Sequence, residues 1–128
     1  MKQSLISFLY FDDMPAACRF FEEVFELPCV TDQGWAKIYR VSPGAFIGAV
    51  DKARGSLACT ARDGVLTAFA VENADEWAER LRAKGAEFTL EPRIFPDIGI
   101  KTMMIRGPEG YIFEIEQFLR EEDLTVYY

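Results

Sequence analysis

The feature that most constrains this chain is that one order of elements occurs in it twice. Leu5 to Phe11 is rich in β-formers. Asp12-Asp13 follow, then Met14-Pro15, where proline suits a first helical position, then Ala17, Phe20, Phe21, Val24 and Phe25 at helical spacing. In the second half Leu66 to Glu72 is again a strand, Asn73 is placed to cap a helix with Glu76 three residues on, and Trp77, Ala78, Leu81 and Arg82 carry it to a stop at Gly85. Three short strands are expected after each helix. They are Cys29 to Asp32, Trp35 to Val41 and Ala45 to Val50, and then Glu87 to Glu91, Ile100 to Arg106 and Tyr111 to Phe118, with Gly- and Pro-containing turns between. The pattern predicts an α+β fold of two βαβββ modules, each curving a mixed sheet around a concave pocket with its helix outside. Module 1 covers about 1–50, a connection 51–64, module 2 about 65–118 and a C-terminal tail 119–128 of a single domain.

Strand alternation assigns the faces. Tyr111, Phe113, Ile115 and Gln117 form the more apolar set of the last strand and belong under the helix, which turns Ile112, Glu114, Glu116 and Phe118 the other way. Thr67, Phe69 and Val71 likewise take the helix side, leaving the small surface of Leu66, Ala68 and Ala70 toward the hollow, with Ile6, Phe8 and Tyr10 as the matching set in the first module. A hollow lined by Ile6, Phe8, Tyr10, Phe46 and a carboxylate has the composition of a small-molecule pocket. Trp35 is either a cap on its mouth or a structural aromatic at a turn, and Trp77 belongs to the core. Glu114 is either a ligand contact or a solvating relic, and Tyr10 either a rim residue or a proton donor.

None of the 128 residues is histidine. The usual general base and commonest transition-metal ligand is therefore missing, and any chemistry must use carboxylates, tyrosines, thiols, backbone or bound water. The net charge of −7 opposes phosphate binding, so nucleic acid is not an expected partner. The early apolar run is too short for a membrane span and carries no cleavage site, which predicts a cytoplasmic protein with no membrane partner. Cys18, Cys29 and Cys59 are odd in number and widely spaced, arguing for idle reduced thiols rather than a disulfide framework or a metal cage.

Three segments carry a family likeness: Phe11-Asp12-Asp13-Met14 leading into Arg19-Phe20-Phe21, Ala68 to Asp75, and Gly107-Pro108-Glu109-Gly110-Tyr111-Ile112-Phe113-Glu114. With the duplicated plan, nearly the whole chain resembles the vicinal oxygen chelate superfamily of glyoxalases, bleomycin-resistance proteins and dioxygenases. In metal-dependent members a His or Glu on the first strand of each module and a Glu on its last strand hold one ion. By that resemblance Glu114 retains a ligand position, while Ile6, Leu66 and Gly48 occupy the other three, so the metal site is degenerate and no cofactor is expected. The resemblance implies a metal-free homodimer that sequesters an aromatic or cationic ligand at Ile6, Phe8, Tyr10, Trp35, Phe46, Leu66, Ala68, Ile112 and Glu114. The alternatives are a glyoxalase-like lyase or dioxygenase, with Glu114 and Tyr10 as candidate catalytic groups, and a structural or regulatory homodimer with a filled pocket. Arg93, Phe95, Pro96, Asp97 and Lys101 fall where family members often carry a pocket-covering loop, and a plain surface connection is the equal alternative. The β-prone run Leu124 to Tyr128 is expected to pair with another chain or to pack on a partner's surface.

Overall fold

Asp13 both ends the first strand and starts the first helix, because its carboxylate accepts the backbone N–H of Ala16 at 3.0 Å and satisfies a donor the helix leaves free. The computed structural model describes residues 1–128 and divides into two compact units, Met1–Ala61 and Arg62–Tyr128. No helix is long and apolar enough to cross a membrane.

In the first unit, β1 (Leu5–Phe11) leads to α1 (Met14–Arg19), which runs into a wider π-helical turn at Phe20–Val24. β2 (Cys29–Asp32), β3 (Ala36–Ser42) and β4 (Ala45–Asp51) complete a sheet of order β1-β4-β3-β2, in which only the β1–β4 pair is parallel. Leu9 and Phe11 point under the helix with Tyr39, Ile47 and Ala49, against Ala17, Phe21 and Phe25. The Phe21 ring lies 6.0 Å from Phe11 and 5.5 Å from Tyr39, so this core is built mainly from aromatics.

The second unit repeats the plan with β5 (Leu66–Ala70), α2 (Ala74–Ala83), β6 (Glu87–Phe95), β7 (Ile100–Arg106) and β8 (Ile112–Phe118), in the order β5-β8-β7-β6. Asn73 caps α2 by accepting the Glu76 N–H at 3.1 Å, and Gly85, at φ +77°, takes the left-handed conformation that closes the helix. Gln117 accepts the Ala74 N–H at 2.9 Å, tying the same helix start to β8. Phe69, Leu81, Met103, Ile105, Phe113 and Ile115 form this core, which is more aliphatic than the first.

Two expectations need correction. The stretch Arg93 to Lys101 is not a pocket-covering loop: β6 continues through a bulge to Phe95, and Pro96–Gly99 is a tight turn into β7. Lys101, in β7, forms an ion pair with Asp75 at 2.5 Å, and the Arg93 guanidinium lies 4.4 Å from the Phe95 ring. The tail, in turn, is not a strand. Glu121–Tyr127 forms a helix, α3, whose three acidic first-turn residues suit the positive end of its dipole. It packs on its own unit, with Tyr127 stacked on Phe118 at 3.9 Å and the Tyr128 hydroxyl donating to the Val71 carbonyl at 2.5 Å.

Candidate functional site

In the second unit β5 and β8 run parallel, so Leu66 lies beside Ile112, Ala68 beside Glu114 and Ala70 beside Glu116. β7 runs antiparallel on the other side of β8 and sets Thr102 beside Glu116, Met104 beside Glu114 and Arg106 beside Ile112. Neighbours across a ladder share a face, so one surface holds two carboxylates flanked by alanines, a hydroxyl and a thioether. The Thr102 side chain is 3 % exposed, and its Oγ1 donates to Glu114 Oε2 at 2.7 Å while lying 3.2 Å from the Ile115 carbonyl. Burial, and then the charge of Glu114, push the Glu116 carboxyl above its ordinary value. No ion pair engages either carboxylate. At the Leu66–Ile112 end the face opens into a cavity of about 580 Å³ rimmed by Arg62 and Arg106. Both guanidiniums are held locally, Arg62 by Glu109 at 2.8 Å and Arg106 by Glu87 at 3.3 Å.

The corresponding face of the first unit carries different chemistry. Ile6 lies beside Phe46, Phe8 beside Gly48 and Tyr10 beside Val50, and β3 adds Ala36, Ile38 and Arg40. The Phe8 ring rests on the bare backbone of Gly48, where a Cβ would come within 2.4 Å of it. Tyr10 covers Gly55 in the same way, and its hydroxyl accepts the Leu57 N–H at 3.3 Å. The Arg40 guanidinium sits 5.6 Å from the Phe46 ring. Trp35 stands just before β3, its carbonyl accepting the Asp51 N–H at 2.8 Å and its side chain about one-third exposed.

The site residues expected from the sequence thus fall into two groups, each on one face of its own unit. Ile6, Phe8, Tyr10 and Phe46 share the first face, and Leu66, Ala68, Ile112 and Glu114 the second, with Trp35 at a strand entry. Thr102 was not among them. Alternation along Ile100 to Arg106 selects it as one of a set, but its place beside the carboxylates depends on the β7–β8 register, which a turn four residues long does not reveal. Among the four positions that the resemblance assigns to metal ligands, Glu114 alone has a donor side chain. Ile6 and Leu66 are hydrocarbon, and Gly48 could not gain a carboxylate without displacing Phe8. No group of three or more His, Cys, Asp or Glu residues is gathered to hold an ion. The donors present do not fit the family's metal.

The fold recurs in solved structures. A glyoxalase/bleomycin resistance protein/dioxygenase from Nocardioides superposes with a TM-score of 0.75 at 20% identity, covering 94% of this chain and 86% of that one. A lactoylglutathione lyase from Agrobacterium tumefaciens gives 0.72 at 23% identity over 88% and 91%, and a fosfomycin resistance protein from Listeria monocytogenes 0.71 at 20% over 95% and 98%. At such identities the likeness is one of fold. No curated protein sequence matches the chain significantly. A family model, however, matches residues 5–115, from the first strand to the middle of β8. The duplicated modules and that match together place the chain in the Glyoxalase/Bleomycin resistance protein/Dioxygenase superfamily.

Proposed function

We propose that the protein is a metal-free small-molecule-binding member of this superfamily, of the bleomycin-resistance type, that takes an aromatic cation on the β5-β8-β7 face. The observation that carries this reading is the pair Glu114 and Glu116, which share a face, partly covered by α3 at its Phe118 end, with no ion pair to either carboxylate. Two like charges in a partly dry setting repel, and the raised Glu116 carboxyl is the sign of it. A bound cation reverses both terms, attracting the two carboxylates and holding them ionised. Ala68 and Ala70 leave room for a ring, Met104 offers a soft apolar contact, and Thr102 holds Glu114 in place. A cytoplasmic homodimer completes the proposal, since Ile6, Phe8 and Leu66 expose apolar area that a second copy would cover.

The test compares benzyltrimethylammonium with its uncharged isostere neopentylbenzene, as probes of the parent protein and of Glu114→Gln. The cation should raise the melting temperature and the hydrocarbon should not. Glu114→Gln should weaken cation binding by about 1 to 3 kcal/mol, the range for losing a charge-assisted contact. Preference for the neutral probe, or equal binding by the Gln variant, would remove the carboxylates from the site. Sedimentation at micromolar concentration reports on the dimer separately.

A further inference from the structure

The short helix α3 stands at the Phe118 end of the carboxylate face and is lightly held. It has seven residues, none of them buried, and no side chain caps its start. A helix of that length does not persist in water on its own, so its contacts with the sheet decide whether it stays. Two side chains supply them. Tyr127 lies flat on the Phe118 ring, with 3.9 Å between centroids and 5° between planes, and Phe118 belongs to the face that Glu114 and Glu116 share. The Tyr128 hydroxyl accepts the Phe118 N–H at 3.3 Å and donates to the Val71 carbonyl. Just before the helix the chain is fixed, because Leu119 donates its N–H to the Gly99 carbonyl at 2.9 Å and the Arg120 guanidinium donates to the Asp97 carbonyl at 2.7 Å.

The two backbone groups that Tyr128 holds are the ones the β5–β8 ladder would join next. In a parallel pair a residue bonds through its N–H to one partner residue and through its C=O to the residue two further along. The Val71 N–H already bonds the Glu116 carbonyl at 2.8 Å, so the natural donor to the Val71 carbonyl is the Phe118 N–H. The Tyr128 hydroxyl sits between that donor and that acceptor. When it withdraws they can pair with each other, and no backbone group is left without a partner. α3 therefore has a docked and a released arrangement, and both satisfy the sheet. In the docked one, the hydroxyl's pKa is raised above the ordinary phenol value first by burial, with the Phe118 N–H opposing, and then by the charges of Glu116 and Glu72, so it remains a donor.

We propose that α3 is an autoinhibitory latch, in which Tyr127 holds the place on Phe118 that the ring of the ligand takes and Tyr128 fastens it there. The inference rests on the reading that this face takes an aromatic cation. Glu116 and Phe118 are two residues apart on one face, about 7 Å along the strand. A ring stacked on Phe118 thus brings a benzylic ammonium within reach of the Glu116 carboxylate. Tyr127 fills the ring's place but carries no cation, so a ligand that supplies both displaces it.

The test titrates benzyltrimethylammonium into the parent chain and Tyr127→Ala, and follows amide hydrogen exchange of the parent by NMR with and without the probe. Tyr127→Ala should bind about fivefold tighter or more, since the competing ring is gone. In the parent, the probe should speed exchange at Asp123, Leu124 and Tyr128, whose N–H groups bond within α3, while Phe118 stays slow because the Val71 carbonyl now takes its N–H directly. Equal or weaker binding by Tyr127→Ala, or α3 amides that slow when the probe binds, would overturn the latch alone. Binding by neither the parent nor Tyr127→Ala would overturn the reading of the face, and the latch with it. The exchange measurement needs no substitution, so it decides even where Tyr127→Ala disturbs the fold.

Discussion

The two units share a fold and differ on one face. Under their helices both are packed and apolar, with Phe11, Phe21 and Tyr39 in the first matched by Phe69, Phe113 and Ile115 in the second. On the opposite face the first unit lays rings over glycines, Phe8 on Gly48 and Tyr10 on Gly55, whereas the second sets two carboxylates among alanines. Burial under the helix drives folding, so that face is held to hydrocarbon in both copies. The other face is released from that demand, and there the copies have parted: one carries apolar surface, the other unpaired charge.

Removing large side chains under the helices should have the greatest effect. Phe11→Ala and Phe113→Ala should each cost about 3 to 5 kcal/mol in denaturant unfolding, equally in the two units. A much smaller loss in one unit would mean that its helix face is not core. Next, Gly48→Glu places a carboxylate where the resemblance expects a metal ligand but drives it into the Phe8 ring, for an expected loss of about 1 to 3 kcal/mol. Ala68→Leu, on the open face, should change stability by no more than about 0.5 kcal/mol while blocking the cation probe. If both substitutions proved equally mild, the contrast between a covered and an open face would fail.

Smaller effects sharpen the second unit. Tyr128→Phe removes the donor to the Val71 carbonyl and should cost about 0.5 to 1.5 kcal/mol, read as a lower melting temperature. Glu116→Gln should do the reverse. Because burial and Glu114 raise the Glu116 carboxyl in the folded state, the folded form keeps a proton that the unfolded chain has already released. Stability is therefore greatest below the unfolded value and falls as pH rises through the folded one. The Gln variant lacks that fall and should gain less than about 1 kcal/mol at neutral pH, with solvent screening trimming the effect. Melting curves across the acid to neutral range check it, and a parent that gained stability over the rise would contradict the assigned direction.

Much of this was legible in the residues. The strands Leu5–Phe11, Cys29–Asp32 and Ile100–Arg106 coincide with their expected bounds, as does the Asn73 cap, because local periodicity and turn chemistry there agree with the tertiary packing. The expected strand Glu87 to Glu91 stops just before Pro92, which has no N–H to donate. In the structure a bulge between Leu90 and Arg93 absorbs it and the strand runs on. The tail departs from expectation because Val126, Tyr127 and Tyr128 favour strands, while Glu121, Glu122 and Asp123 make a good helix start that carries them into α3. Alternation found Glu114 and Glu116, but it sees one strand at a time. Thr102 beside Glu114, and Glu22 as the partner of Tyr39, needed register and helix placement, which no single strand or helix carries.

The strand order also sets a timetable for folding. In each sheet the antiparallel hairpins close over short turns, β3 with β4 and β7 with β8, and these contacts are cheap in loop entropy. The first strand has no such neighbour. Leu5 must wait for Ala45, and Leu66 for Ile112, before either parallel ladder can form. The slow event in each unit is thus the docking of a strand that was first in the chain. In the second unit that same event brings Ala68 beside Glu114, so the carboxylate face is complete only when the rate-limiting contact has been made.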